Sequence, residues 1–267
     1  MPTTLRSALT IAGSDSSSGA GIQADLKTFA ALGLYGTSAV TTITAQNTLG
    51  VTATYPLPAD LVTAQIEAVA GDITIQATKV GMLATAAIVE AVAAAIEELD
   101  LPNVVVDPVV MAKSGDRLLA PDALQTLCQE LLPRARMVTP NIPEAALLTG
   151  LSISSADDVR EAARRIHAMG VTAVVIKGGH GDGDVLVDVL FDGTEFSEFR
   201  TPRIDTRHTH GTGCTFASAI AAYLALDCSL PDATRQAQAY VAGAIRHALA
   251  VGHGHGPLDH FWNVPRA

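Results

Sequence analysis

Charged residues are scarce in this chain: Asp, Glu, Lys and Arg make up 16% of its 267 residues, against roughly 25% in an average soluble domain. With hydrophobic residues at 48%, little is left for solvated tails, and a well-buried chain is expected. The 3 cysteines, Cys128, Cys214 and Cys228, form an odd set without CxxC spacing, which argues against a disulfide framework or a cysteine zinc cage. Basic runs are missing too. Lys and Arg are scattered through a chain of net charge −10, so neither a nucleic-acid footprint nor a membrane-surface patch is expected. No stretch approaches the roughly 18 apolar residues of a membrane span, and the N-terminal apolar run is too short for a signal peptide. The expectation is a soluble cytoplasmic protein whose partners are small molecules.

What is present is a rhythm. Short β-branched runs such as "LRSALTIAG", "TSAVTTITA", "ATKVGM", "NVVVDPVV", "RMVTPN" and "TAVVIKGG" alternate with helical patterns at 20–34, 61–70, 84–99, 121–132, 144–148 and 155–169. Continuous apolar strands separated by helices predict a mostly parallel sheet covered on both faces. Beyond Asp184 the pattern changes, because "DVLVDVLFDG" and "TEFSEFR" read as an antiparallel pair turning at Asp192 and Gly193. Two helices, 212–226 and 231–251, close the chain. Without a linker or repeat, one doubly wound α/β domain over 1–267 is expected, with ligands at the carboxyl ends of the strands.

Several phosphate motifs can be weighed there. No Gly is followed by Lys, so a Walker A loop is excluded. "GAGIQA" at 19–24 fits the dinucleotide fingerprint by letter only: "GSDSSS" separates it from the strand, and no acidic residue follows Asp25 until Asp60. "HGTGCT" offers Gly211 and Gly213 at a helix start, where backbone N–H groups and the helix dipole suit an anion; close helix packing explains the same glycines. Asn141 and Glu144 have capping-box spacing, yet with Asp107 they would also suit Mg²⁺ beside a nucleotide phosphate. Lys177, where an apolar strand stops at two glycines, reads as a phosphate contact. His208, His210 and Cys214 match no common zinc spacing. Met82 and Met111 are assigned to the core by default. Cys214 could be a ligand, a nucleophile, a base or a small buried residue.

Taken together, "ALTIAGSDSSSGAGIQADLKTFAALGLYG", "TTITAQNTLGV", "TKVGMLA", "VVVDPVVMAKSGD", "TPNIPEAALL", "VVIKGGH", "HTHGTGCT" and "GHGPLDHF" resemble, in order and spacing, the hydroxymethylpyrimidine and phosphomethylpyrimidine kinases of thiamine biosynthesis. That resemblance implies a ribokinase-like three-layer α/β/α sandwich with a small antiparallel edge, ATP with Mg²⁺, and a homodimer. It implies substrate contacts at Gly13, Asp25, Gln46 and Met82, and metal contacts at Asp107 and Glu144. Nucleotide contacts fall at Asn141, Lys177 and Thr209, and the anion hole at Gly211, Thr212, Gly213 and Cys214, with Lys113 on a covering flap at 112–117. An amide at Gln46 suits an aminopyrimidine edge, which shows an acceptor beside a donor. Cys214 stands where much of the superfamily has an aspartate base, and a helix N-terminus is expected to lower its pKa. The serine-rich stretch Ser14–Gly19, where relatives often carry proline or more glycine, bears on loop stiffness. A pyridoxal kinase is the alternative reading, and a non-catalytic binder would have no use for the phosphate machinery.

Overall fold

The computed structural model describes residues 5–110, 119–178 and 183–265. A single nine-stranded sheet runs through them in the order β3-β2-β1-β4-β5-β6-β7-β8-β9. Its strands are β1 (Ser7–Asp15), β2 (Tyr35–Asn47), β3 (Gly50–Pro56), β4 (Ala77–Val80), β5 (Val104–Val106), β6 (Met137–Val138), β7 (Ala173–Ile176), β8 (Val185–Phe191) and β9 (Phe196–Pro202). The β2-β1-β4-β5-β6-β7 block is parallel. Its central strands are buried on both faces, as their unbroken apolar runs predict.

Helices cover both sides. On one side α2 (Ala59–Ala70), α3 (Ala86–Glu98), α4 (Pro121–Thr126), α5 (Ile142–Thr149) and α6 (Ala156–His167) pack their apolar stripes against Ile11, Val80, Val106 and Val138. On the other, α1 (Gly21–Ala31), α7 (Thr212–Ala225) and α8 (Leu230–Arg246) pack against Ala8, Ala77, Val105 and Val175. The result is the expected three-layer α/β/α sandwich. The pattern expected at 121–132 continues past α4 as a wider turn at Leu127–Leu131 and a tight one at Leu132–Arg134, where Pro133 has no N–H to offer. The last helix stops at Arg246, short of the expected 251.

The antiparallel pairing is more extensive than the sequence suggests. β8 and β9 form the expected pair at one edge, where β8 also runs antiparallel to β7. At the opposite edge β2 overshoots the parallel block and turns at Thr48 and Leu49 into β3, an unpredicted antiparallel strand. Irregularities fall where the chain meets the site. The β1 register shifts between Ala12 and Ser14, and the β2–β3 register shifts between Ala45 and Gln46. Bulges of this kind redirect the chain locally, here around Gly13 and Gln46.

Candidate active site

A cavity of ≈ 700 Å³ opens at the carboxyl ends of the parallel strands, as expected for a sheet of this topology. Its wall includes Gly13, Gln46, Met82, Asp107, Asn141, Glu144, Lys177, Thr209 and the whole Gly211–Cys214 turn. Twelve of the thirteen expected site positions that lie among the described residues thus meet in one place. The thirteenth, Asp25, stands behind the wall.

The phosphate end is built from three strand ends and one helix start. Asp107 follows β5 and is 3% exposed; Lys177 follows β7 and donates to its Oδ1 at 3.0 Å. Burial works against the Lys177 charge, but Asp107 and Glu144 hold its ammonium above the ordinary lysine range. Asn141 and Glu144 open α5 with the predicted capping box: the Asn141 N–H donates to Glu144 Oε2 at 2.9 Å and the Glu144 N–H to Asn141 Oδ1 at 2.8 Å. Cap and cavity wall are therefore the same two residues, so the capping role does not remove them from reach of a ligand. Burial pushes the Glu144 carboxyl up to about 7, with Lys177 opposing and Asp107 adding to the shift. Two neighbouring carboxylates, one of them short of positive charge, are a donor set that fits a hard divalent cation completed by phosphate oxygens.

Gly211 caps α7 with φ +82, a left-handed conformation that only glycine adopts freely. Thr212, Gly213 and Cys214 form the first turn, whose N–H groups have no partners within the helix. A Cβ on Gly213 would lie 3.3 Å from both Asp107 Oδ2 and Lys177 Nζ, so this turn sits directly against the ion pair. The expectation for the Cys214 thiol is overturned. Burial pushes it up to about 11, although Lys79 and a hydrogen bond from the Gly21 backbone pull the other way. Desolvation outweighs the helix terminus, and at neutral pH Cys214 is a thiol.

The opposite end of the cavity holds Gly13, Met82 and Gln46. A Cβ on Gly13 would lie 3.3 Å from Met82 Sδ, so Met82 lines the cavity beside a bare backbone in place of the core role assigned by default. The Gln46 amide stands 3.0 Å from Thr44 Oγ1 and 3.3 Å from His210 Nε2. His210 donates to Asp15 Oδ2 at 2.9 Å, since a carboxylate only accepts.

Three residues in this region have roles that no motif assigns, although Asp15 stands among the strand-end polar groups where ligands are expected. Asp15 accepts from the backbone N–H groups of Ser17, Gly19 and Ala20 and from the Ser17 hydroxyl, so one carboxylate stiffens the serine-rich loop. Burial raises its pKa, but His210, Ser17 and Ala20 hold it below the usual carboxylate range. Asp188, on β8, accepts from Gly178 N–H and Gln238 Nε2, both at 2.9 Å, and so fixes the backbone just after Lys177. Lys79, on β4, has no accessible surface and donates to Asp25 Oδ2 at 2.8 Å. Asp25 also accepts from Thr10 Oγ1 at 2.6 Å and Ser218 Oγ at 2.7 Å. A lysine inside the apolar run "ATKVGM" was the one available hint. Among the described residues, no group of three His, Cys, Asp or Glu side chains could hold a metal ion. Met111, Lys113, the rest of the expected flap at 112–117, and His180 lie outside the described residues.

The sequence and the fold have counterparts among known proteins. The chain is 49% identical over 255 residues to the hydroxymethylpyrimidine/phosphomethylpyrimidine kinase of Bacillus subtilis, covering 95% of this chain and 94% of that one. It is 51% identical over 254 residues to the thiamine biosynthesis bifunctional protein ThiED of Geobacter sulfurreducens, covering 95% of this chain and about half (52%) of that longer protein. The crystal structure of an ADP complex of Bacillus subtilis pyridoxal kinase superposes with a TM-score of 0.90 at 40% identity, over 96% of this chain and 98% of that one, and the fold is ribokinase-like. The phosphomethylpyrimidine kinase family model matches residues 15–259, a span that begins at the carboxylate of the first loop and ends beyond α8, and the chain belongs to that family.

Proposed function

We propose that this protein transfers phosphoryl groups from ATP to 4-amino-5-hydroxymethyl-2-methylpyrimidine and then to its monophosphate, giving the diphosphate used in thiamine biosynthesis. The observation that carries this reading is the meeting, in one cavity, of a phosphate end (Asp107, Glu144, Lys177, Gly211–Cys214) and a pocket end (Gly13, Gln46, Met82). Asn141, Lys177 and Thr209 would face the nucleotide, and Asp107 with Glu144 would hold Mg²⁺. The cation, when bound, supplies charge neutralisation to the phosphates.

Phosphoryl transfer through a loose transition state depends on positioning and electrostatics more than on a strong base. The α7 N-terminus and Lys177 hold the migrating group. The Cys214 sulfur orients the substrate hydroxyl, whose proton passes late to an oxygen of the transferred phosphoryl group, as the new O–P bond forms and the bond to ADP breaks. The Gln46 amide pairs with the aminopyrimidine edge. The protein works as a single domain over 1–267, in the cytoplasm and as a homodimer; the exposed apolar side chains Leu49 and Tyr55 on the β2–β3 hairpin support the homodimer.

ADP release measured side by side with hydroxymethylpyrimidine, its monophosphate and pyridoxal tests the assignment. Turnover of both pyrimidines is expected. Likeness to the pyridoxal kinase structure favours pyridoxal as a slower third acceptor, and turnover of pyridoxal alone would make vitamin B6 salvage the function.

A further inference from the structure

Lys79 is a buried ion that the mechanism above leaves unused. Its side chain is in the cavity wall without accessible surface, and it lies under the pocket end. A Cβ on Gly81 would stand 2.6 Å from Lys79 Nζ and 3.0 Å from the Ala12 side chain, so the ammonium presses against the backbone that leads into Gly13 and Met82. An ammonium has three donors, and among the described residues its hydrogen bond is the one to Asp25. Asp25 in turn shares its charge with two hydroxyls, Thr10 and Ser218. The pair is therefore lopsided: a spread negative charge on the α1 side and a compact positive one toward the cavity. The field of Lys79 reaches both Cys214 and Asp107, one at the acceptor side and one at the phosphate end.

This geometry meets a problem set by the proposed function, on which the inference rests. The first acceptor is a neutral alcohol, whereas the second is a phosphomonoester dianion that must approach the phosphates of ATP. Lys177 is already engaged with Asp107. We infer that Lys79 is the specificity residue for the second transfer, a fixed cation beneath the pocket floor that offsets the charge of a phosphomonoester acceptor. It acts as a positioning residue, and Asp25 holds it without meeting substrate.

The test is the double variant Lys79→Met/Asp25→Asn, which removes both charges and leaves no orphaned ion in the core, assayed beside the wild type with hydroxymethylpyrimidine and its monophosphate. The expected result is a loss of kcat/KM for the monophosphate of at least about thirtyfold, carried mainly by KM, as for removal of a desolvated charge partner. The loss for the alcohol should be several times smaller. Equal losses for the two acceptors, or none for the monophosphate, would overturn the inference. Lys79→Gln, whose amide can still donate to Asp25, gives the same reading should the double variant not fold; failure of both to fold would make the pair purely structural and overturn it too. A wild type that phosphorylates neither pyrimidine would instead refute the proposed function.

Discussion

Gly211 and Gly19 touch backbone to backbone: a Cβ at position 211 would lie 1.8 Å from the Gly19 carbonyl oxygen. That contact locks the loop at 15–20 onto the start of α7, and the His210–Asp15 hydrogen bond fastens it a second time. Gly211→Ala must both abandon its left-handed φ and push the loops apart. A cost of roughly 2–3 kcal/mol and a fall in Tm of about 5 °C or more are expected in a thermal melt, together with loss of turnover on both acceptors.

Cys214→Ala separates the two transfers. The hydroxyl of the first acceptor needs orienting and must shed a proton, while the monophosphate oxygen is already ionised near pH 7, its second pKa being about 6. The variant is expected to slow the alcohol reaction about tenfold or more, through lost positioning of the hydroxyl, and the monophosphate reaction much less. Equal losses in kcat would reduce Cys214 to a filler of the helix's first turn.

Gln46→Ala is expected to raise KM for hydroxymethylpyrimidine by roughly tenfold to a hundredfold, as when hydrogen bonds of a desolvated pair are lost, and to leave ATP affinity unchanged. Titration calorimetry with each ligand separates the two effects; equal weakening of both would remove Gln46 from the acceptor pocket.

His260 carries a pH dependence of stability. It is buried, and burial first, then the nearby Lys27 charge, depress its pKa to about 4, with Asp259 opposing; its Nε2 lies 3.1 Å from Thr215 Oγ1. The unfolded chain protonates this imidazole near 6.5 while the folded chain does not until about 4. Between those values the unfolded state binds more protons, so stability falls as the pH falls, by roughly 3 kcal/mol over the window. Denaturant midpoints at pH 7 and pH 5 should therefore converge in His260→Gln relative to the wild type; an unchanged difference would clear His260.

The order of the elements was legible because fully buried parallel strands write themselves as unbroken apolar runs, and the helices between them carry glycine and proline punctuation. The hairpin strand β3 was not. "GVTATYP" alternates over only its five central residues, is bounded by Gly50 and Pro56 and lies at an exposed edge, so burial does not mark it. At the site, Lys177 and the GTG turn were readable because a charge at a strand end and glycines at a helix start are local signals. Asp15 with His210, and Lys79 with Asp25, were not, since each pair is closed by folding across 195 and 54 positions of sequence. The Cys214 thiol was misjudged for a related reason: helix starts are visible in sequence, and the dryness of a cavity wall is not.

The reciprocal bonds between Asn141 and Glu144 give the cavity an unusual economy of construction. A carboxylate that caps its own helix is positioned by residues three apart in sequence, so its place beside the end of β6 is settled as soon as α5 begins to wind. One oxygen of Glu144 accepts from the Asn141 N–H in that winding, and the Val110 backbone also hydrogen-bonds the carboxylate. The placement of this carboxylate is thus locally encoded, and it is expected to outlast disturbances at either distant edge of the sheet.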